Sequence, residues 1–335
     1  MTLLFCFGTR PEWLKIKPII QKLQRNQYKL LFTGQHQDLI DDVVVDHTIT
    51  PHHTTSVTRL DQVVSDCIMQ FPAGDFDGVV VQGDTASTFG CALAAYHRKL
   101  PLLYVEAGLR SYNLNHPYPE EGYRQMISRL ATVCYAPTDL SAKNLTNELV
   151  NGQIVVTGNT SLDNLVWYKS KCQYLDKVLV TMHRRENHGD MDLWLIAINQ
   201  LAIANPNLKF IMPIHPNPNV QRHRHLLTAV QVVDPLPHDQ LLQLLVKVKL
   251  VITDSGGLQE EGSFFNKKVI VCRQATERPE AIATGHLHLC PHPAQLASTF
   301  YPLIAQYYTT QAPCPYGDGM AADRIISHTK TTILR

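Results

Sequence analysis

The sequence has no excess of charge of either sign. Its 335 residues include 30 Lys and Arg and 29 Asp and Glu, which gives a formal net charge of +1. Proteins that bind nucleic acid or anionic membranes through electrostatic attraction usually carry a basic excess. We therefore expect neither nucleic acid nor a membrane as a partner.

Long apolar runs and paired cysteines are also missing. No stretch is long and apolar enough to span a bilayer, and no signal peptide precedes the first predicted strand. The eight cysteines include no Cys-x-x-Cys pair, which disfavours a zinc site or a thiol–disulfide redox motif. We expect reduced, mostly buried thiols in a cytoplasmic protein.

Common cofactor motifs are absent as well. Neither half of the chain contains Gly-x-Gly-x-x-Gly after its first strand, and no P-loop motif is present. His286, His288 and His292 alternate around Cys290, but a strand of period two gives the same spacing, so we do not favour a metal site. We expect no metal and no redox cofactor.

Apolar strands and helix-compatible segments alternate along the chain, a pattern typical of parallel α/β sheets. Residues 46–60 interrupt the pattern as an irregular polar loop, and residues 159–171 predict a helix that leaves the first sheet. The pattern restarts at Lys177. We therefore predict two Rossmann-like, doubly wound domains that face each other across a cleft, residues 1–165 and 175–315.

The clearest signal of a ligand lies between residues 250 and 280. An apolar run ends at Asp254-Ser255-Gly256-Gly257, directly before a helix-compatible segment. The unpaired amides of a helix N-terminus suit a phosphate, and glycine permits its close approach. Arg278 adds a fixed cation, whereas Glu260 and Glu261 suit sugar hydroxyls better than a phosphate. The stretch favours a nucleotide-sugar site over a plain capped turn.

A second cationic turn lies near the N-terminus. Arg10 follows the first apolar strand, at the start of a predicted helix, and Lys15 lies one turn further along. Two cations beside a helix N-terminus predict a second anion site.

Acidic side chains follow two further predicted strands. Asp84 and Glu106 come just after buried strands, and Glu120 lies in the loop that follows Glu106. Because the carboxyl ends of parallel strands share one edge of a doubly wound sheet, we expect these acids to converge. Three carboxylates at one edge suit general acid–base catalysis.

Several short motifs occur along the chain, from the first strand to the last helix. They include Gly8-Thr9-Arg10-Pro11-Glu12, Gln82-Gly83-Asp84-Thr85, Glu106-Ala107-Gly108-Leu109-Arg110, Pro119-Glu120-Glu121, His183-Arg184-Arg185-Glu186-Asn187, His215-Pro216-Asn217-Pro218-Asn219, Thr276-Glu277-Arg278-Pro279-Glu280 and Pro315-Tyr316-Gly317-Asp318-Gly319. Together with the Asp254 motif, they resemble the non-hydrolysing UDP-N-acetylglucosamine 2-epimerases. The resemblance implies the GT-B fold, in which the last helix, within residues 316–335 here, packs back on the first domain.

The resemblance also implies an isomerase, and we expect it to be a homodimer. Its reaction interconverts UDP-N-acetylglucosamine and UDP-N-acetylmannosamine by eliminating UDP to a 2-acetamidoglucal and adding it back. By the same resemblance, the residues that bind substrate are Arg10, Lys15, Ser255, Gly256, Gly257, Glu261 and Arg278. Asp84, Glu106 and Glu120 are the candidate acid–base residues, and His183 is a candidate donor to the departing phosphate.

Two departures from the family pattern concern the base and the regulation. The aromatic residue that the family often places under uracil is replaced here by Leu236 and Leu241, so we expect weaker base contacts. The allosteric UDP-N-acetylglucosamine site of bacterial members is matched only in part, and its Arg-Gln pair has no clear counterpart except for the nearby Arg59. The candidate allosteric residues are Gln35, His36, Arg184 and His215.

Three alternatives stay open at this point. A hydrolysing epimerase would release UDP and free N-acetylmannosamine, but its opening motif usually lacks Arg10-Pro11-Glu12. A GT-B glycosyltransferase has no obvious use for the three acids together. A catalytically silent protein that binds UDP-sugars would have lost them.

Overall fold

The computed structural model describes residues 1–35, 43–52, 58–276, 278–306 and 312–333. The chain forms two compact units. The first contains Met1–Asn164 and Gly319–Arg335, and the second contains Leu165–Asp318. Each unit is a Rossmann-like domain, with a parallel sheet flanked by helices, and this confirms the predicted fold class.

The strands of both units are parallel to their neighbours. Those of the first unit are β1 (Leu3–Phe7), β2 (Tyr28–Phe32), β3 (His47–Thr48), β4 (Gly78–Gln82), β5 (Leu102–Val105), β6 (Val133–Ala136) and β7 (Gln153–Val156). Those of the second are β8 (Lys177–Thr181), β9 (Lys209–Pro213), β10 (Gln231–Val233), β11 (Leu250–Thr253), β12 (Lys268–Val271) and β13 (Leu287–Leu289).

Helices connect the strands. They are α1 (Arg10–Ile20), α2 (Arg59–Met69), α3 (Ala86–His97), α4 (Glu120–Leu130), α5 (Asp139–Asn147), α6 (Val166–Lys169), α7 (Met191–Ala204), α8 (Pro218–Gln221), α9 (His238–Leu245), α10 (Gly256–Phe264), α11 (Glu280–Ala283), α12 (Leu296–Ala305) and α13 (Ala321–Ile333). Among the described residues, none of these helices has both the length and the apolar character that a membrane span requires.

The strand order of each sheet reverses at one point. The first sheet has the order β3-β2-β1-β4-β5-β6-β7, and the second has the order β10-β9-β8-β11-β12-β13. The chain therefore winds in opposite directions from β1 and β4, and likewise from β8 and β11. In open α/β sheets, ligands bind outside the carboxyl ends of the strands at such a reversal. The loops after these four strands are the places to look for a site.

The last helix, α13, belongs to the first unit. Ala322, Ile325 and Ile326 are buried among the side chains of β1, β2 and α1. The carboxylate of Asp163 accepts hydrogen bonds from the first amides of α13, at 3.2 Å from Ala321 N and 2.8 Å from Ala322 N. The first sheet is therefore covered on one face by the end of the chain.

Two local expectations from the sequence are wrong. Residues 46–60 are not a continuous polar loop, because they contain β3 and the start of α2, which Thr58 caps through the amide of Asp61 at 3.2 Å. A two-residue edge strand is too short to show alternation, which is why the sequence did not reveal it. Residues 159–171 do not form one helix. A short 3-10 helix over Thr160–Leu165 and the single-turn α6 replace it, at the boundary between the units.

Candidate active site

The helix that follows β1, α1, carries the two cations predicted to form an anion site in the first unit. Thr9 caps α1, and Arg10 is the first residue of that helix, with an exposed side chain. Lys15 lies one turn later, and its Nζ is 2.6 Å from Oε1 and 2.5 Å from Oε2 of Glu106. In this structure Lys15 is therefore the ion-pair partner of a candidate acid, and Arg10 is the cation presented to solvent.

Glu106 follows β5 in an unusual backbone conformation. Its φ of 64° lies in the left-handed region, which residues other than glycine and asparagine rarely adopt. Besides Lys15, its carboxylate accepts a hydrogen bond from the side-chain amide of Gln82, at the end of the neighbouring strand β4. Residues held in such conformations cluster at functional sites, where the surrounding contacts fix them.

Asp84 follows β4 and pairs with a cation of α4. Its Oδ2 is 2.7 Å from both Nε and Nη2 of Arg124. Because β4 and β5 are paired in parallel, with Gln82 opposite Val105, Asp84 and Glu106 leave the sheet at the same edge. The predicted convergence of these acids follows from the topology. Each of the two carboxylates also has its own basic partner, so the site is not simply a cluster of negative charges.

Glu120 begins α4, four residues before Arg124. Its Oε2 is buried, and no hydrogen-bond partner for it exists among the described residues. Residues four apart lie on one face of a helix, so Glu120 shares a face with Arg124, the ion-pair partner of Asp84. The adjacent Glu121 is fully buried and accepts hydrogen bonds from the amides of Ser111 and Tyr112, at 2.9 and 3.2 Å. Glu121 thus holds the loop, whereas the buried Oε2 of Glu120 makes no such contact among the described residues.

The second unit presents the predicted phosphate site at the N-terminus of α10. Ser255 occupies the N-cap position, but its side chain makes no capping hydrogen bond. A Cβ added at Gly256 would lie 3.0 Å from Nη1 of Arg278 and 3.3 Å from Nη2 of Arg184, whereas one at Gly257 would meet nothing within 4 Å. Two guanidinium groups therefore lie beside the unpaired amides of this helix, an arrangement suited to a diphosphate.

Two of these contacts add to the assignments made from the sequence. Glu260, which the sequence grouped with Glu261 as suited to sugar hydroxyls, accepts a hydrogen bond at its Oε1 from Nε of Arg278 at 2.6 Å and so orients that guanidinium. Arg184, which resemblance placed among the allosteric residues, lies beside Arg278 at the phosphate site. No periodicity in the sequence would have brought Arg184 and Arg278 together.

The loop that carries Arg184 is held by a buried acid that sequence reasoning did not single out. Asp254 is fully buried, and its Oδ2 accepts hydrogen bonds from the amides of His183 and Arg184, both at 2.9 Å. The side chain of Asn187 donates a third, at 3.1 Å. Asp254 thus ties the loop after β8 to the loop after β11, across the reversal of strand order. Its position directly after a buried strand was the available signal.

His183 and His215 form a stacked pair. Their ring centroids are 5.1 Å apart with an interplanar angle of 17°. Burial lowers the pKa of His183, and the Asp254 carboxylate, 3.4 Å from its Nδ1, opposes the shift. A histidine whose pKa lies below its usual value is mostly neutral near pH 7, so it can donate one hydrogen bond and accept another.

A cavity of about 350 Å³ lies beside the phosphate site within the second unit. Leu236 and Leu241 line it, as do the predicted residues His183, Ser255 and Glu261. The cavity also contains His215, Gly257 and His238. Its volume is within the range of small-molecule sites, and its leucines offer an apolar wall without an aromatic ring. Nε2 of His238 is 2.8 Å from Oε1 of Glu261, a contact that sequence reasoning did not foresee.

The candidate allosteric residues are distributed over both units. In the first unit, the side chain of Gln35 accepts hydrogen bonds from Ser87 N at 3.1 Å and Oγ at 2.7 Å, and Arg59 donates to its backbone oxygen at 2.8 Å. His36 lies outside the described residues. In the second unit, Arg184 and His215 lie at the phosphate site and the cavity, so their allosteric assignment stays a prediction.

Two Rossmann-like domains with ligand-binding features at the carboxyl ends of their strands define a GT-B protein. Comparisons with known proteins narrow this class. Residues 20–330 match the family described as UDP-N-acetylglucosamine 2-epimerase. The UDP-N-acetylglucosamine 2-epimerase of Campylobacter jejuni is 35% identical, and the match covers 97% of this chain and 96% of the relative.

Solved structures agree with the sequence comparison. The crystal structure of the Neisseria meningitidis UDP-GlcNAc 2-epimerase bound to UDP-GlcNAc superposes with a TM-score of 0.82 at 31% identity, covering 99% of this chain and 100% of the other. A putative UDP-N-acetylglucosamine 2-epimerase from Listeria monocytogenes gives a TM-score of 0.84 at 29% identity, covering 98% and 96%. The chain belongs to the UDP-N-acetylglucosamine 2-epimerase family.

Proposed function

We propose that the protein is a non-hydrolysing epimerase, an isomerase that interconverts UDP-N-acetylglucosamine and UDP-N-acetylmannosamine. UDP is eliminated to give 2-acetamidoglucal and then adds back after protonation of C2 from the opposite face. The observation that carries the proposal is that Asp84 and Glu106 leave the sheet at one edge and Glu120 shares a helix face with Arg124, the ion-pair partner of Asp84, while two arginines lie beside the N-terminus of α10 in the second unit.

The chemistry explains why both kinds of site are needed. The C2 proton is not adjacent to a carbonyl and is not acidic in the intact substrate. Breaking the C1–O bond builds positive charge at C1, and loss of the C2 proton to a base then gives the glucal double bond. The leaving diphosphate takes the electron pair of the C1–O bond, so groups that stabilise its charge lower the barrier.

The second unit supplies the groups that hold UDP. The α10 amides, Arg278 and Arg184 complement the charge of the diphosphate, and His183, whose pKa is lowered by burial, donates a hydrogen bond as that charge develops. Glu261 is proposed to accept hydrogen bonds from the ribose hydroxyls. For this, the hydrogen bond between His238 and the Glu261 carboxylate must break. Leu241 packs against the base.

The first unit supplies the acid–base groups. Inversion at C2 requires that a proton leaves one face of the sugar and arrives on the other, so at least two groups are needed. Asp84 and Glu106 each have a basic partner, whereas Glu120 keeps one oxygen without a partner among the described residues. These different surroundings are suited to different roles in the two proton transfers.

The test is an NMR time course with UDP-N-acetylglucosamine as the only substrate, in deuterated buffer. We expect UDP-N-acetylmannosamine that carries deuterium at C2 and still carries UDP. The substrate pool should also gain deuterium, and the same equilibrium should be reached from either sugar nucleotide. Stoichiometric UDP and free N-acetylmannosamine would identify a hydrolysing enzyme. Binding without any turnover would identify a UDP-sugar-binding protein.

A further inference from the structure

Glu12 joins two loops of the first unit through a single carboxylate. It is 3% exposed. Its Oε2 accepts hydrogen bonds from the amides of Gly8 at 2.6 Å and Thr9 at 2.9 Å, both in the loop after β1. Its Oε1 accepts from the hydroxyls of Thr85 at 2.5 Å and Thr88 at 2.9 Å, which belong to the start of α3 after β4. The two loops flank the reversal of strand order in the first sheet.

This arrangement exceeds the ordinary capping of a helix. In a capping box, the acid at the third helical position accepts from the N-cap amide, and nothing requires contact with another element. In α2, the corresponding residue Asp61 is exposed and contacts its own cap residue, Thr58. Glu12 fills the same position in α1 but is buried, and its second oxygen contacts the N-cap residue of α3, Thr85.

The residues next to these contacts are two of the candidate site residues. Arg10 directly follows Thr9, and Asp84 directly precedes Thr85. The loop has little room to shift, since a Cβ at Gly8 would lie 2.1 Å from Thr33 Oγ1 and 2.5 Å from Ser87 Oγ. Burial raises the pKa of Glu12, and its four hydrogen bonds oppose that shift.

We propose that Glu12 is a positioning residue for the epimerisation proposed above. It fixes the loop of Arg10 against the loop of Asp84 across the strand reversal, without touching the substrate itself. The inference rests on the proposed function for its kinetic part, and on the geometry alone for the coupling between the two loops. The Arg10-Pro11-Glu12 motif thereby has a physical role: Glu12 holds in place the start of α1, which presents Arg10.

The test compares Glu12→Ala with Glu12→Gln, and with Asp61→Asn as a matched control at an exposed N-terminal helix position. Glu12→Ala should lower kcat about 10²-fold, the cost of misplacing a reacting group by about 1 Å, with a much smaller change in UDP affinity. Glu12→Gln should recover most of the loss, because its amide oxygen can accept from Gly8 and Thr9 while the threonine hydroxyls accept from its NH2. Asp61→Asn should match the parent.

Amide hydrogen exchange gives a readout that does not depend on turnover. In Glu12→Ala, exchange should accelerate over residues 83–88 as well as 8–12, whereas in Asp61→Asn both segments should exchange as in the parent. If Glu12→Ala does not fold, Thr88→Val tests the same link by removing one hydroxyl of nearly equal shape, with an expected loss of about tenfold in kcat.

Two results would overturn the inference. One is parental kcat per folded molecule in Glu12→Ala, and the other is accelerated exchange confined to residues 8–12. A parent enzyme that does not epimerise would refute the proposed function instead, while the exchange data would still decide whether Glu12 couples the loops.

Discussion

Two neighbouring glutamates at the start of α4 show how surroundings separate chemistry from structure at the scale of single residues. Glu121 is fully buried and binds two backbone amides, whereas Glu120 has a buried oxygen without a partner among the described residues. In the sequence they are adjacent and have the same side chain. The contacts made in the folded protein separate them, because Glu121 binds the loop and the buried oxygen of Glu120 does not.

The two glutamates should respond differently to the same substitution. We expect Glu120→Gln to lower kcat by at least about 10²-fold, a typical acid–base contribution, with UDP binding and thermal stability retained. Glu121→Gln should mainly lower stability, by about 1–3 kcal/mol. The reason is that the side-chain NH2 of the new glutamine would face a backbone N–H, which is also a donor. Asp84→Asn and Glu106→Gln should resemble Glu120→Gln.

Steady-state kinetics, UDP calorimetry and thermal unfolding on the same four variants separate these effects. Near-normal turnover in all three of the Asp84, Glu106 and Glu120 variants would remove these acids from the mechanism. A stable Glu121→Gln variant would show that the loop contacts of that residue contribute little.

Sequence reasoning could propose single candidate site residues but not their partners. Arg10, Asp84, Glu106 and Arg278 could be proposed because each follows a strand or lies in a recognisable motif. Their partners could not be proposed, because the contacts join residues far apart in sequence. The pairs Lys15–Glu106 and Arg124–Asp84 are examples, and side-chain reach across a sheet edge leaves no periodic trace.

At the scale of elements, the N-terminus of α10 depends on a residue with no side chain. Gly256 is tightly surrounded by the guanidinium groups of Arg184 and Arg278, whereas Gly257 is open. From the sequence, both glycines are expected to permit the approach of a phosphate. The structure gives Gly256 a different reason, since it allows the two cations to lie against the first turn of the helix.

Gly256→Ala should therefore weaken UDP binding about tenfold, because the added methyl group displaces two charge-assisted contacts. The fold should be retained or slightly stabilised, since alanine is favoured over glycine within a helix by about 0.5–1 kcal/mol. Gly189→Ala is the matched control, because a Cβ there meets nothing within 4 Å, and it should bind UDP as the parent does. Calorimetric titration with UDP measures the affinity of both variants and the parent. Unchanged affinity in Gly256→Ala would contradict the role given to Arg184 and Arg278.

The elements of both sheets were largely predictable, and their exceptions have physical reasons. Buried parallel strands such as β4 and β11 are short apolar runs that end in glycine or polar turns, so the sequence marks them clearly. The edge strand β3 has two residues and lacks such a signal. The connection between the units is built from short 3-10 and α-helical turns, which have no sustained hydrophobic period.

At the scale of the whole molecule, the first unit is discontinuous and the second is continuous. The first needs α13 to cover its sheet, with Ile325 only 2% exposed. Ile325→Ala should destabilise the first unit by about 2–5 kcal/mol, the usual cost of a large-to-small change in a core. Asp323→Ala is the control on the same helix, since its ion pair with Lys22 is exposed and should contribute less than about 1 kcal/mol.

Urea unfolding followed by tryptophan fluorescence can assign the loss to a unit. Trp13 lies in the first unit, and Trp167 and Trp194 lie in the second. The transition reported by Trp13 should move to lower urea in Ile325→Ala, with the transition of Trp194 unchanged. A shift of the Trp194 transition alone would show that α13 does not stabilise the first unit.

The discontinuity of the first unit also sets an order of events during synthesis. The ribosome delivers all seven strands of the first sheet before any part of the second unit, yet α13, which packs with α1 on one face of that sheet, is delivered after the whole second unit. The second unit, made from one uninterrupted segment, can complete its fold while the first still exposes apolar surface around β1 and α1. The domain that begins first on the ribosome is therefore the one that finishes last, and a nascent chain stalled before α13 would be a substrate for chaperones.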